Sequence, residues 1–225
     1  MPPMTTRTAT RRPRVQPPLE TKVQPAQKRA SETYELLLDA AAKTLAELGI
    51  ERLSTNLVAE RAGVTPPALY RYFPNKYALL SELGKRLMQR QNECIARWIS
   101  PEVLAGGAAT VEPALAGLLL DTYNVTRKVE GGVWIMRALR AVPALQDVRL
   151  GSHAAVTAAQ VQLLARALPH VGRAELQLVS RIVVELIYAA VEMLFDEKLP
   201  PKAVARIVAG MLSSHLDRIG SGSAP

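Results

Sequence analysis

Cysteine is nearly absent. Cys94 stands alone among 225 residues, so no internal disulfide can form, and a reducing compartment fits that. Aromatic residues are scarce, at 4%. No run of about 18 uncharged apolar residues occurs, so no membrane span is expected. The N-terminus lacks the apolar core of a signal peptide, which predicts a cytoplasmic protein. No alternating strand pattern and no internal repeat is visible. His153, His170 and His215 are too scattered for metal-ligand spacing, and helical histidines of this kind are usually surface or capping groups. Gly106-Gly107 and Gly131-Gly132 lack the context of a phosphate-binding loop. Cys94 lies on an apolar stripe and reads as core rather than nucleophile. Glu185 and Glu192, seven apart on one helix face, read as paired structural carboxylates. These absences argue against an enzyme, and no cofactor or metal is expected.

What is present is apolar and helical in character. Hydrophobic residues make up 48% of the chain, enough for a sizeable core, and Ala, Leu and Val dominate. The net charge of +8 is unevenly spread. Residues 1–30 hold Arg7, Arg11, Arg12, Arg14, Lys22, Lys28 and Arg29 against Glu20 alone, which is six of the eight net charges. The same stretch holds six prolines and almost no large apolar residue. Such a segment cannot bury enough surface to fold alone. It reads as a disordered basic arm, either solubilising or laid along DNA phosphates and the minor groove.

From Ser31 onward apolar residues recur at helical spacing. Leu37, Ala41, Leu45 and Leu48 mark a first helix over about 32–48, with Ser31 as N-cap and Gly49 near its end. Ser54 caps a short second helix running to about Ala62. Gly63 permits a tight turn. Thr65 caps a third helix whose first position is Pro66, where the missing N–H costs nothing. Pro74 ends it. A long fourth helix follows Asn75, with Tyr77, Leu80, Leu83, Leu87, Gln91, Cys94 and Trp98 on one stripe, and Ser100-Pro101 closes it. Residues 105–110 read as a loop. Further helices are expected over about 112–128, 131–141 and 146–168. The last two, 174–197 and 201–219, are apolar on more than one side. Such helices must bury more than one side, and a four-helix bundle across a two-fold axis is the simple solution.

The segment STNLVAERAGVTPPALYRYFPNK, from Ser54 to Lys76, has the layout of a helix-turn-helix: a support helix, a glycine turn and a second helix. The second helix of such a unit enters the major groove by its N-terminal end. With its flanks, the stretch LSTNLVAERAGVTPPALYRYFPNKYALLSEL resembles the DNA-binding domain of the tetracycline-repressor (TetR) family. The AGV turn, the LYRYF run and the following NK carry the resemblance. It covers about 47 residues; the C-terminal two-thirds matches only in general layout. The resemblance implies an all-α dimer of about nine helices. Its parts would be an arm (1–30), a helix-turn-helix domain (31–80), a helical effector-binding and dimerisation domain (81–219) and a flexible tail (220–225).

The resemblance also implies roles. Ser54 and Thr55 resemble phosphate-binding hydroxyls. Asn56 stands where family members often read a base or phosphate with a longer side chain. Thr65, Pro66, Pro67 and Ala68 occupy the groove-facing start of the recognition helix. Tyr70 and Tyr72 are similar to the family's DNA-contacting aromatics, although one of the two is expected to pack inward. Lys76 looks like the phosphate-clamping lysine, and Arg71 meets phosphate or solvent. Ser54 and Thr65 would cap helices in any protein. Pro66, Pro67 and Ala68 offer no side-chain hydrogen bonds, so they can only touch thymine methyls or fit groove shape. Residues 31–80 hold five basic and six acidic residues, so the arm is expected to supply much of the electrostatic affinity.

The implied partners are a double-stranded operator, a second copy of the chain through residues 174–219, and a small organic effector. Trp98, Tyr123, Trp134, Met136 and Tyr188, together with Phe195, are candidates to line the effector pocket, each also plausible as ordinary core. The implied function is a transcriptional regulator, by family default a repressor released by its effector. The alternatives are an architectural DNA-binding protein with no ligand or, least of all, a helical enzyme.

Overall fold

The computed structural model describes residues 16–23 and 28–221. Expectations for residues 1–15, 24–27 and 222–225 lie outside the described residues. The described residues form ten α-helices and one 3-10 turn, with no strand among them.

The first helix, α1, spans Lys28–Arg52 and begins three residues before the expected cap, because Lys28, Arg29 and Ala30 are themselves good helix formers. Gly49 breaks its path at φ 74°, ψ −179°, a conformation that side chains disfavour. The short helices α2 (Thr55–Arg61) and α3 (Pro66–Tyr72) follow, then the long α4 (Lys76–Trp98). Asn75 caps α4 through its side-chain oxygen, which accepts from the N–H groups of Tyr77 (2.9 Å) and Ala78 (3.0 Å).

Ser100-Pro101 does more than close α4. Ser100 accepts from the N–H of Val103 and starts a five-residue helix, α5 (Pro101–Ala105). A serine followed by proline is a start signal as much as a stop. The loop expected over 105–110 shrinks to Gly106 and Gly107, and α6 runs over Ala108–Lys128. Gly107 turns the chain at φ 64°, and the Thr110 hydroxyl donates to Val103 O at 2.6 Å. Pro113 therefore sits inside the helix, where it removes one N–H bond. Then come α7 (Gly132–Ala141), the 3-10 turn Pro143–Leu145, α8 (Gln146–Ala167), α9 (Arg173–Asp196) and α10 (Pro201–Gly220).

The core runs through the whole described body. Leu37, Leu45, Leu69 and Phe73 are fully buried at one end; Leu87, Leu119, Ile135 and Leu145 continue it. Helix α4 is the spine: α6, α7 and α8 pack on it. Its Gly84 lets Leu139 approach so closely that a Cβ there would lie 2.7 Å from a leucine methyl. Helix α7 reaches back to α1, where the Trp134 ring lies against Gly49. The bidentate pair of Arg86 with Glu35 (2.6 and 2.8 Å) ties α4 to α1 and holds the Glu35 carboxyl below its usual range. No helix among the described residues is long and apolar enough to cross a membrane.

Candidate nucleic-acid interface

The helix-turn-helix is assembled from inside. Val58 and Ala59 of α2 and Leu69 of α3 are wholly buried, with Leu53 and Phe73 beneath them. Between the helices the chain turns at Gly63, φ 66°. No atom lies within 4 Å of where a Cβ would be, so the requirement is conformational and not steric. The N–H of Val64 donates to Ala59 O at 3.0 Å and closes the turn. Ser54 accepts from the N–H of Leu57 at 3.2 Å, so its hydroxyl caps α2.

Most of the expected contact residues lie at the surface. Asn56, Thr65, Pro66, Pro67 and Arg71 are exposed, and Thr55, Ala68 and Lys76 half-buried. Thr65 starts α3 without a side-chain cap bond, which leaves its hydroxyl to the surface. Tyr70 is 40% exposed, unusual for a phenol in the middle of a helix of a small domain. Its hydroxyl lies 2.9 Å from that of Thr55. Two hydroxyls, one from the support helix and one from the reading helix, are thus held at a single point. Lys76 sits in the first turn of α4 with its ammonium 5.8 Å from the Tyr77 ring.

Tyr72 departs from the role implied for it. It is 4% exposed and packs edge-on against Tyr34, ring centres 5.9 Å apart. On a seven-residue helix Tyr70 and Tyr72 lie about 200° apart, so only one can face DNA. Tyr34 also stacks on Phe73 at 4.9 Å, and burial, reinforced by Glu82, pushes its phenol up to about 12.

Part of the N-terminal segment is docked beside this surface. The N–H of Lys22 donates to Tyr72 O at 2.9 Å, and the Asn75 amide donates to Pro18 O at 3.0 Å. Leu19 packs onto the core. Residues 16–23 therefore bridge the end of α3 and the start of α4. The available signal was Leu19, one of the few apolar residues in the tail.

The five residues expected at the effector pocket do not meet in one place. Met136 and Tyr188 border the same small space, of about 10 Å³, beside α4. Trp98 lies about two turns further along α4 and meets α6: its indole N–H donates to Asp121 at 2.8 Å. Tyr123 pairs with Phe195, ring centres 4.8 Å apart. Trp134 lies between Gly49 and Arg137. These residues come from four helices and lie in four separate places, so the pocket expected of them does not form.

His153 is buried, contrary to the expectation of a surface or capping group. Its Nδ1 lies 2.9 Å from Glu185, which also pairs with Arg181 (2.6 Å) and Arg149 (3.4 Å), and its ring stacks on Tyr188 at 4.5 Å. Glu192 pairs with Arg140. Both carboxylates are thus structural partners of arginines. Burial holds the His153 imidazole below its usual range, although Glu185 pulls it upward. A base depressed in the folded state stabilises fully above its unfolded pKa and loses that contribution as pH falls. Urea unfolding of the wild type is expected to show a lower midpoint at pH 5.5 than at pH 7.5. His153→Gln is expected to flatten that difference.

A support helix packed on the core by Val58 and Ala59, a glycine turn and a second helix carrying the exposed Tyr70, braced by α1 and α4, define a helix-turn-helix domain. Residues 37–83 match the family model described as "Bacterial regulatory proteins, tetR family". The helix-turn-helix domain of this chain is thus similar to that of the TetR family of transcriptional regulators. The tetracycline repressor protein class C of Escherichia coli is 43% identical over 54 residues, 24% of this chain and 25% of the repressor. The chain thus aligns with about a quarter of that relative's length. An uncharacterized HTH-type transcriptional regulator of Mycobacterium tuberculosis is 29% identical over 148 residues, 64% of this chain and 71% of the relative. Among solved structures, the multidrug binding protein EbrR complexed with imidazole is similar in fold. Its TM-score is 0.62 at 23% identity, covering 85% of this chain and 97% of EbrR.

Proposed function

We propose that the chain is a dimeric transcriptional regulator that reads duplex DNA with α3 and acts as a repressor released by a small organic effector. The observation that carries the DNA reading is Tyr70: a large phenol held outward by the turn at Gly63, its hydroxyl joined to Thr55. Phenols and threonine hydroxyls at helix starts suit phosphate and base-edge contacts. Dimerisation is supported by the exposed apolar ridges of α9 and α10, since two recognition helices one turn of DNA apart require two copies. Effector control is supported by the match of residues 37–83 to the TetR family model and by likeness in fold to a protein named for binding drugs.

The test begins with selection of bound genomic fragments, followed by titration of the recovered site at several salt concentrations. Lys76→Ala is expected to weaken binding at every site and to lower the salt slope by about one unit. Deleting residues 1–15 removes Arg7, Arg11, Arg12 and Arg14 and leaves the docked stretch 16–23 intact. The slope is expected to fall by as much as about 3.6 if all four arginines meet phosphates. An unchanged slope refutes a role for the arm.

A second reading, an architectural DNA-binding protein without a ligand, is favoured by one observation. Two of the interior spaces in the C-terminal half are only about 10 and 30 Å³. Metabolite extracts that fail to alter the wild type's operator affinity would favour it.

A further inference from the structure

At the end of the body remote from α3 lies a small space of about 30 Å³ walled by α5, α6, α8, α9 and α10. Its lining has no aromatic ring and no charged side chain; it is leucine, isoleucine and valine, with two exceptions. Those are Ser180 and Gln160, both at least nine-tenths buried. The Ser180 hydroxyl is buried with no hydrogen-bond partner. An unpaired buried hydroxyl is unfavourable, so it marks a place where a partner is missing.

This space has a neighbour. Leu104, Val111, Leu164 and Leu216 line it and also line a cleft of about 310 Å³ at the C-terminal ends of α8 and α10. Four aliphatic side chains therefore stand between an interior hydroxyl and a solvent-accessible opening. Together the two spaces reach the lower end of small-molecule site volumes, about 300 Å³ and upward.

We infer that the two spaces form one site for an uncharged aliphatic molecule carrying a single hydrogen-bonding group. The aliphatic chain replaces solvent in the cleft and passes Leu164 and Leu216 as those side chains change rotamer. The polar group meets Ser180 and Gln160, which between them supply donors and acceptors. The class follows from the walls. A planar aromatic ring finds nothing to stack on. An ion would be buried unpaired, which is strongly unfavourable. The single charged residue lining the cleft is Asp217, which repels a carboxylate at the mouth.

The site is placed to act at a distance. Ile99, the residue that ends α4, forms part of its wall, and α4 begins at Lys76 beside the DNA face, about 35 Å away by helical rise. This inference rests on the effector reading above and gives it a location and a ligand class.

The experiment uses the full chain with 1-decanol, decanoate and benzyl alcohol as probes. Calorimetric titration is run on wild type, Leu164→Trp and Ser180→Ala, with operator release measured in parallel. 1-Decanol is expected to bind once per protomer, at least tenfold more tightly than decanoate or benzyl alcohol. Leu164→Trp, which fills the passage, is expected to weaken it at least tenfold. Ser180→Ala removes only an unpaired hydroxyl, so it keeps the fold and weakens 1-decanol several-fold. Absence of 1-decanol binding, binding indifferent to both variants, or tighter binding of decanoate would each overturn the site. Binding as expected without operator release would uphold the site and count against effector control. A metabolite extract that releases DNA from wild type and Leu164→Trp alike would uphold effector control and overturn this site.

Discussion

Leu186→Glu is expected to leave the protein monomeric at micromolar concentration and to weaken operator binding at least about 100-fold. On α9 the side chains of Leu178, Ile182 and Leu186 recur every four residues and are 62%, 47% and 45% exposed. Ile207 and Met211 on α10 are likewise exposed. A monomeric protein rarely presents so continuous an apolar ridge to water. Rows of side chains four apart pack into the grooves of a like pair of helices, so in the proposed dimer these ridges would form a bundle about a two-fold axis. The opposite faces of both helices are already committed: Val183, Ile187 and Val191 of α9 and Ala205, Ala209 and Leu212 of α10 are buried within the chain. A carboxylate at Leu186 would be buried without a partner in the dimer and solvated in the monomer, so it acts on association and spares the fold. Linking two half-site contacts typically multiplies affinity by about 10² to 10⁴, and that factor is what the monomer forfeits. Sedimentation equilibrium together with fluorescence anisotropy on the selected operator reads both effects.

Gly131→Ala is expected to destabilise the protein by about 2–4 kcal/mol, combining a left-handed backbone with a steric clash. Gly131 has φ 67°, and a Cβ there would lie 2.8 Å from the Ala42 carbonyl oxygen on α1. Its neighbour Gly132 is as constrained, since a Cβ would meet the Thr126 carbonyl oxygen at 2.1 Å. The Gly131-Gly132 pair thus serves packing: it lets the α6–α7 turn press on the helix that carries the DNA-binding domain. For a chain of this size each kcal/mol shifts Tm by about 2–4 °C, so a fall of roughly 5–15 °C is expected by calorimetry. Gly151 is the internal control. It lies within α8, has no positive φ, and has no atom within 4 Å of where a Cβ would be. Gly151→Ala is therefore expected to stabilise by about 0.5–1 kcal/mol.

The helix-turn-helix was legible because its instructions are local. Ser54, Gly63, Pro66 and Asn75 each act within a few residues of themselves, and the observed bounds of α2, α3 and α4 follow them. The start of α6, expected near residue 112, was harder, because the turn at Gly107 begins the helix earlier. Helix α5 was hidden by a serine–proline pair that signals both an end and a beginning. What depended on three dimensions was not legible. Whether Tyr70 or Tyr72 faces outward is decided by Tyr34 and Phe73 on other segments. The docking of residues 16–23 depends on the Tyr72 carbonyl and the Asn75 amide, partners far away along the chain. The aromatic residues expected at one pocket point into separate interfaces, whereas the apolar space with its lone hydroxyl is built from leucines and valines that resemble any other core.

The central claim is that α3 enters a groove of duplex DNA from each of two chains. Chemical footprinting of the full protein on a selected genomic fragment, for wild type and Tyr70→Ala, tests it most directly. The expected pattern is two protected major-groove patches on one face of the duplex, about 34 Å apart, lost in the variant. Protection confined to the minor groove, or a wild-type footprint that Tyr70→Ala reproduces unchanged, would contradict it.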